Sequence, residues 1–280
     1  MFYLFIASNI KKENISQFEK FLEDNDMSSI VDFEKEGILQ GLCSIRLPTN
    51  DIRLNLFLEK IKETNNNPFV RFDREYSKEE LDQYEYLVLL IKTVGLENPK
   101  ENQKYDKSNS CPNCGAGIIP IPPLIIPINS MGKKLLEYTA HNNWLIFKRE
   151  FSDKIIRNEL TGISFHPTKI GKNSSDYLWG KIDNILPRLN SSSKIRFNET
   201  KCETCYNSGN FSNFDSETNF VFSKDQIPLF KDFNLTNEFF GEWEYSRLGG
   251  SRLVIIHQKV RNLFINERFN KIDYLPIIFI

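Results

Sequence analysis

The spacing of apolar residues divides the chain into short elements of both kinds. An opening apolar run, Phe2-Tyr-Leu-Phe-Ile-Ala7, predicts a buried first strand. It lacks the basic flank and the apolar continuation of a secretory signal. Ile15, Phe18, Phe21 and Leu22 then recur at helical spacing within residues 10–23. Residues 28–33 and 38–47 predict strands, with Glu36-Gly37 as the turn. Pro48-Thr-Asn-Asp51 starts a second helix, on which Leu54, Phe57, Leu58 and Ile61 form the stripe. Asn65-Asn-Asn-Pro68 ends it. A short strand follows at residues 69–72, and Ser77 with Glu80 forms a capping-box pattern. The run at residues 86–94, rich in Leu, Ile and Val, predicts a buried strand.

Composition shifts after residue 97. Residues 97–110 are polar and charged and read as a surface connection to Cys111-Pro-Asn-Cys114-Gly115. Four prolines among the aliphatics of residues 118–128 predict an edge or crossing segment, because proline cannot donate to a central ladder. A weak internal repeat follows. Trp144-Leu-Ile-Phe147 leads through residues 151–158 to Ile163-Ser-Phe165-His-Pro167, and Leu253-Val-Ile-Ile256 leads through residues 259–262 to Ile272-Asp-Tyr274-Leu-Pro276. Each copy reads as strand, short helix, strand, and each is preceded by a CxxC pair. Between the copies, Ser- and Asn-rich sequence such as residues 190–193 and 207–219 predicts loops and hairpin arms.

The expected fold is therefore α+β, with mixed or antiparallel sheets. An N-terminal subdomain spans residues 1–100. A duplicated strand-helix-strand module, joined by a four-cysteine zinc knuckle pair, spans 101–280, with units at about 101–170 and 195–280.

Charge narrows the function classes. Lys plus Arg number 36 against 37 Asp plus Glu, a net charge of -1, and the signs alternate along nearly every segment. That balance disfavours a nucleic-acid partner, which calls for a basic stripe. No run reaches the ~18 apolar residues that a spanning helix needs. A cytoplasmic location follows as the expectation, and thiols stay reduced there.

In that setting the cysteines point to metal. Cys111, Cys114, Cys202 and Cys205 form two CxxC pairs with 87 residues between them, Cys114 to Cys202. Two such knuckles supply the four soft ligands of a closed tetrahedral zinc site. Four thiolates leave no position for water or substrate, so the predicted zinc is structural rather than catalytic. The long separation is answered if two related modules bring their knuckles together. Cys43, in an apolar strand, reads as a small core residue.

Other chemistry is sparse. His141, His166 and His257 lack metal-type spacing, and none has an obvious nucleophile beside it, so no catalytic residue is assigned. Glu79-Glu80 reads as a solvated face. Gly249-Gly250 lacks the phosphate-loop pattern and reads as a turn. Phe239-Phe240-Gly-Glu-Trp243 is either core or a partner-facing patch.

The order of CxxCG, strand-helix-strand and second CxxC resembles the bacterial double-CXXCG motif proteins, a family assigned as immunity proteins against secreted toxins. Ser152-Asp-Lys154 through Gly162-Ile163-Ser-Phe165-x-Pro167 is also similar to a recurrent immunity-protein tail. The resemblance covers about residues 105–280, with a looser likeness at residues 72–81, and Tyr206 stands where the motif has a second glycine. It implies a non-enzymatic protein that binds and neutralises a cognate toxin. Two other readings stay open. A zinc-ribbon protein for nucleic acid or phage defence requires Lys169, Lys172, Arg188, Lys194 and Arg196 to cluster. An enzyme requires scattered carboxylates to converge in an apolar pocket.

Overall fold

Leu4 and Ile6, two apart on β1 (Phe2–Asn9), turn the same face of a strand into a dry core. The computed structural model describes residues 2–34, 40–64, 69–91, 103–126, 136–138, 144–171, 173–195, 202–204, 218–240, 251–269 and 272–280. The Glu36-Gly37 turn, residues 207–217 and Gly249-Gly250 lie outside them. The fold is mixed α+β, with antiparallel and mixed sheets and few helices. The chain divides into two units, Met1–Ser77 and Lys78–Ser212 with Thr218–Ile280.

In the first unit, α1 (Ile15–Asp24) links β1 to β2 (Val31–Phe33), and α2 (Ile52–Glu63) links β3 (Leu42–Pro48) to β4 (Phe69–Arg74). The sheet order is β2-β3-β1-β4, and every pairing is antiparallel. This β-α-β-β-α-β order is the split β-α-β arrangement. It needs each helix to present an apolar stripe, and both do. Ile15, Phe18 and Leu22 are buried on α1, and Leu54, Phe57 and Ile61 on α2. Phe18 joins the two, its ring 6.0 Å from that of Phe57 and 5.3 Å from that of Phe33. Asp51 caps α2, its Oδ1 accepting from the Arg53 amide at 3.0 Å.

The second unit begins with a single helical turn, α3 (Lys78–Leu81), and continues with β5 (Tyr86–Ile91). A two-stranded ladder, β6 (Tyr105–Asp106) with β7 (Ile119–Pro120), flanks the first CxxC pair. Two five-stranded sheets follow. The first contains β8 (Leu124–Ile126), β9 (Leu136–Tyr138), β10 (Leu145–Lys148), β11 (Ile163–Ile170) and β12 (Asn173–Ile182), in the order β8-β11-β12-β10-β9. The second contains β13 (Phe220–Phe222), β14 (Phe233–Leu235), β15 (Val254–His257), β16 (Ile272–Phe279) and β5, in the order β13-β16-β5-β15-β14. The proline-rich segment thus supplies β8, which lies at a sheet edge.

The two sheets agree in detail. In each, the first-named edge strand runs parallel to its neighbour and the remaining pairings are antiparallel. The helix α4 (Arg149–Arg157) joins β10 to β11, and α5 (Gln258–Asn266) joins β15 to β16. Element boundaries in the second set lie 109 residues beyond the first, from 145 to 254 and from 163 to 272. Each helix ends two residues before a left-handed position, Glu159 (φ 53) and Arg268 (φ 57).

The sheets differ in the source of the middle strand. In the first, β12 returns antiparallel to β11 just after Gly171, which takes φ 61. In the second, the middle place is held by β5, antiparallel to both β15 and β16. This pairing moves the unit boundary from the expected 100/101 to Ser77/Lys78. A strand flanked on both edges cannot belong to a separate body. Tyr86, Leu87, Val88 and Leu89 are buried in succession, so both faces are covered. Between the two strand-helix-strand segments, where loops and hairpin arms are expected in place of core, the arm β12 places Trp179 in the core at 2% exposure.

Helices α4 and α5 meet through aromatic rings. Phe151 lies 5.7 Å from Phe264 and 4.8 Å from Phe269, and the Lys154 ammonium reaches Glu267 at 2.6 Å. Phe151→Ala, at a fully buried position, will cost about 3–5 kcal/mol of stability through lost burial and the cavity left behind. The exposed neighbour Ile156→Ala will cost under about 0.5 kcal/mol, and urea unfolding of the pair checks the contrast.

Cys43 tests the first core. Burial pushes its thiol up to about 12 from an ordinary 9.0. The folded state therefore holds the proton while the unfolded chain loses it, so stability falls as pH rises from about 9 through about 12. At pH 8 the thiol will resist a disulfide reagent until the unit unfolds, and Cys43→Ala will flatten the alkaline loss. Reagent kinetics and alkaline unfolding curves measure both.

Candidate metal centre

Cys111 and Cys114 sit on a tight loop that its own backbone closes. The Gly115 amide donates to the Cys111 carbonyl at 2.9 Å, and the Cys111 amide to the Ala116 carbonyl at 2.8 Å. Two glycines with positive φ, Gly115 (φ 72) and Gly117 (φ 90), turn the chain back on itself. At Gly117 a Cβ would stand 2.9 Å from the Asn109 carbonyl oxygen, so a side chain there is crowded as well as strained.

Cys202 comes to this loop from 91 residues away, its Sγ 3.7 Å from the Sγ of Cys111. The sulfurs of Cys111, Cys114 and Cys202 all lie within 4.8 Å of one another. Geometry discriminates between the possible meanings. A disulfide would hold sulfurs at ~2.05 Å. Thiolates on a tetrahedral ion, with ~2.3 Å bonds, lie ~3.8 Å apart, and the 3.7 Å separation matches that edge. The cysteines are 9%, 7% and 2% exposed. The donor set is soft, compact and dry, and it fits zinc.

The surroundings supply a supporting shell. The Asn113 amide points its Nδ2 at the Cys202 sulfur, 3.6 Å away. Ala116 completes the buried cluster, and Phe239 packs against it. So small a cluster buries little apolar surface, and an ion is what such a site needs to hold distant segments together. Cys205, the fourth expected ligand, lies outside the described residues. The CxxC spacing marked all three of the converging cysteines. Asn113 and Phe239 carry no such signal, because they act only through the loop's fold.

The histidines take local roles. His257 caps α5, its Nδ1 accepting from the Lys259 amide at 3.0 Å, and its ring lies 5.0 Å from that of Tyr86. Ser164 places its hydroxyl 3.2 Å from both His166 Nε2 and Asp183 Oδ2. The hydroxyl thus stands between carboxylate and imidazole. A charge relay needs the carboxylate on the imidazole, so these three residues do not form one. His141 lies outside the described residues. Phe240 is core at 1% exposure, and Gly241 to Trp243 fall outside the described set.

Native mass spectrometry of the purified chain will find bound zinc, and Cys202→Ser will release it. Asn113→Ala will weaken zinc binding by about tenfold through the lost contact to sulfur. A chelator will lower the melting temperature of the wild type but not of Cys202→Ser. Equal melting of chelated and untreated wild type would refute the staple.

Compared with known proteins, the chain matches no protein-family model, and a search of the curated proteins finds no match to it.

Proposed function

We propose that this chain is a non-enzymatic immunity protein that binds and neutralises a cognate bacterial toxin in the cytoplasm, with zinc as a structural staple. The observation that carries this reading is what the resemblance motif does physically. Its residues serve the scaffold. Ser152 is fully buried and its hydroxyl donates to the Lys148 carbonyl. Lys154 ties α4 to Glu267 beyond α5. Gly162, at φ 88, lies so close to the Phe233 carbonyl oxygen that a Cβ would stand 2.1 Å from it. The Phe165 ring packs edge-on against Phe147 at 5.8 Å. Pro167 stands where the β11–β12 register shifts. A motif spent on folding suits a protein whose work is done by shape and surface.

The matched sheets support the finer architectural reading, a module present twice with its knuckles drawn together. The first cysteines of the two pairs, Cys111 and Cys202, are 91 residues apart, while the sheet elements are displaced by 109. On this reading the two knuckles join their modules through connections of different length. Among the described residues no helix is long and apolar enough to cross a membrane.

Affinity capture from a producing host, with neighbouring genes intact, tests the function. A toxin will co-purify in stoichiometric amount, and the chain will rescue growth when that toxin is expressed. Cys202→Ser will lose the rescue. Nucleic acid recovered in place of a protein partner would favour the zinc-ribbon alternative and sink this reading.

A further inference from the structure

Beside the cysteine loop, a cavity of about 270 Å³ opens between the end of β12 and the segment carrying Phe239. Two of its aromatics are Trp144 and Trp179, whose rings lie 6.2 Å apart at 57°. Phe239 lines it too, while packing on the cysteine cluster. Arg252 stacks over the Phe239 ring at 4.1 Å. Its Nη1 donates to the carbonyls of Thr236, at 2.7 Å, and Asn237. Among the described residues, its hydrogen-bond partners are carbonyls and not carboxylates. Lys181, the other cation of the wall, is already paired with Asp183 at 2.6 Å.

We propose that this cavity binds a small planar anion, in its simplest form an aromatic carboxylate, with the ring against the aromatic walls and the charge on Arg252. The site goes beyond the toxin-binding reading and stands without it.

Three features set the class of ligand. The volume lies just under the ~300–1,000 Å³ of drug-sized pockets, which suits a molecule of one or two rings. Indole and phenyl faces favour flat, apolar bodies over flexible polar ones. Arg252 decides the charge. Burial pushes its guanidinium below the usual arginine range, so the cation has given up part of its hydration. The charge of Glu238 opposes that shift, while its Oε1 accepts from the Leu189 amide at 2.9 Å. An anion on Arg252 gains more than it would on an exposed arginine, and the planar fork matches a carboxylate. The stack on Phe239 and the two carbonyl contacts hold that fork in place, so little ordering is left to binding.

Titration calorimetry of the full chain, with naphthalene carboxylate and its neutral carboxamide as probes, tests the site. The carboxylate will bind saturably and at least about tenfold tighter than the carboxamide, the worth of one charge-assisted hydrogen bond. Arg252→Gln will erase that preference by weakening the carboxylate alone. Ile185→Trp, at a lining residue 49% exposed, will obstruct the cavity and weaken both probes. Equal binding of the two probes to the wild type overturns the charge assignment, and that comparison stands even if Arg252→Gln does not fold. Absence of saturable carboxylate binding, or full binding to Ile185→Trp, overturns the site.

Discussion

Strand β5 fills the middle of a sheet whose other four strands all lie after residue 219. Without it, β15 and β16 would each present an unpaired edge inside the second unit, and buried backbone groups that lack partners are costly. The strand itself has no alternative place. Four consecutive buried residues, Tyr86 to Leu89, need cover on both faces, and only a central position in a covered sheet supplies it. The second unit is therefore closed by its first strand. The first sheet needs no such loan, because β12 follows β11 directly.

Around that sheet the cohesion changes character along the chain. Between α4 and α5 it is aromatic, with Phe151 set among Phe147, Phe264 and Phe269. Near the cysteines apolar burial is thin, and three thiols converge where a core would otherwise stand. A soft metal ion suits that place because it concentrates cohesive energy in a few bonds. Phe239 connects this centre to the Trp-lined cavity, touching the cysteine cluster and lining the pocket. The cluster and the cavity wall thus share a side chain.

Much of the architecture was legible beforehand. Helical stripes at Phe18 and Leu22, and at Leu54 and Phe57, follow from a period that any one-sided helix must show. The two strand-helix-strand segments were readable because each helix buries one face, Phe151 and Ile155 on α4 and Val260 and Phe264 on α5. The role of β12 was harder to see. Its first half, Asn173 to Asp176, is polar throughout and carries no apolar alternation, and only the ladders to β10 and β11 make it a strand. The boundary at Ser77 was hidden for a related reason. Pairing partners more than 160 residues away leave no local trace in β5.

The sequence by itself determined the local vocabulary: which segments are amphipathic, where the chain turns, and which cysteines stand in CxxC spacing. These depend on neighbours within a few residues, and such information is written locally. Only the tertiary structure decided that Cys202 meets Cys111 at 3.7 Å, that β5 belongs to the later sheet, and that Arg252 lines an aromatic cavity beside the cysteine cluster. Each of those facts joins segments far apart in the chain, and such contacts are set by packing and ladder pairing.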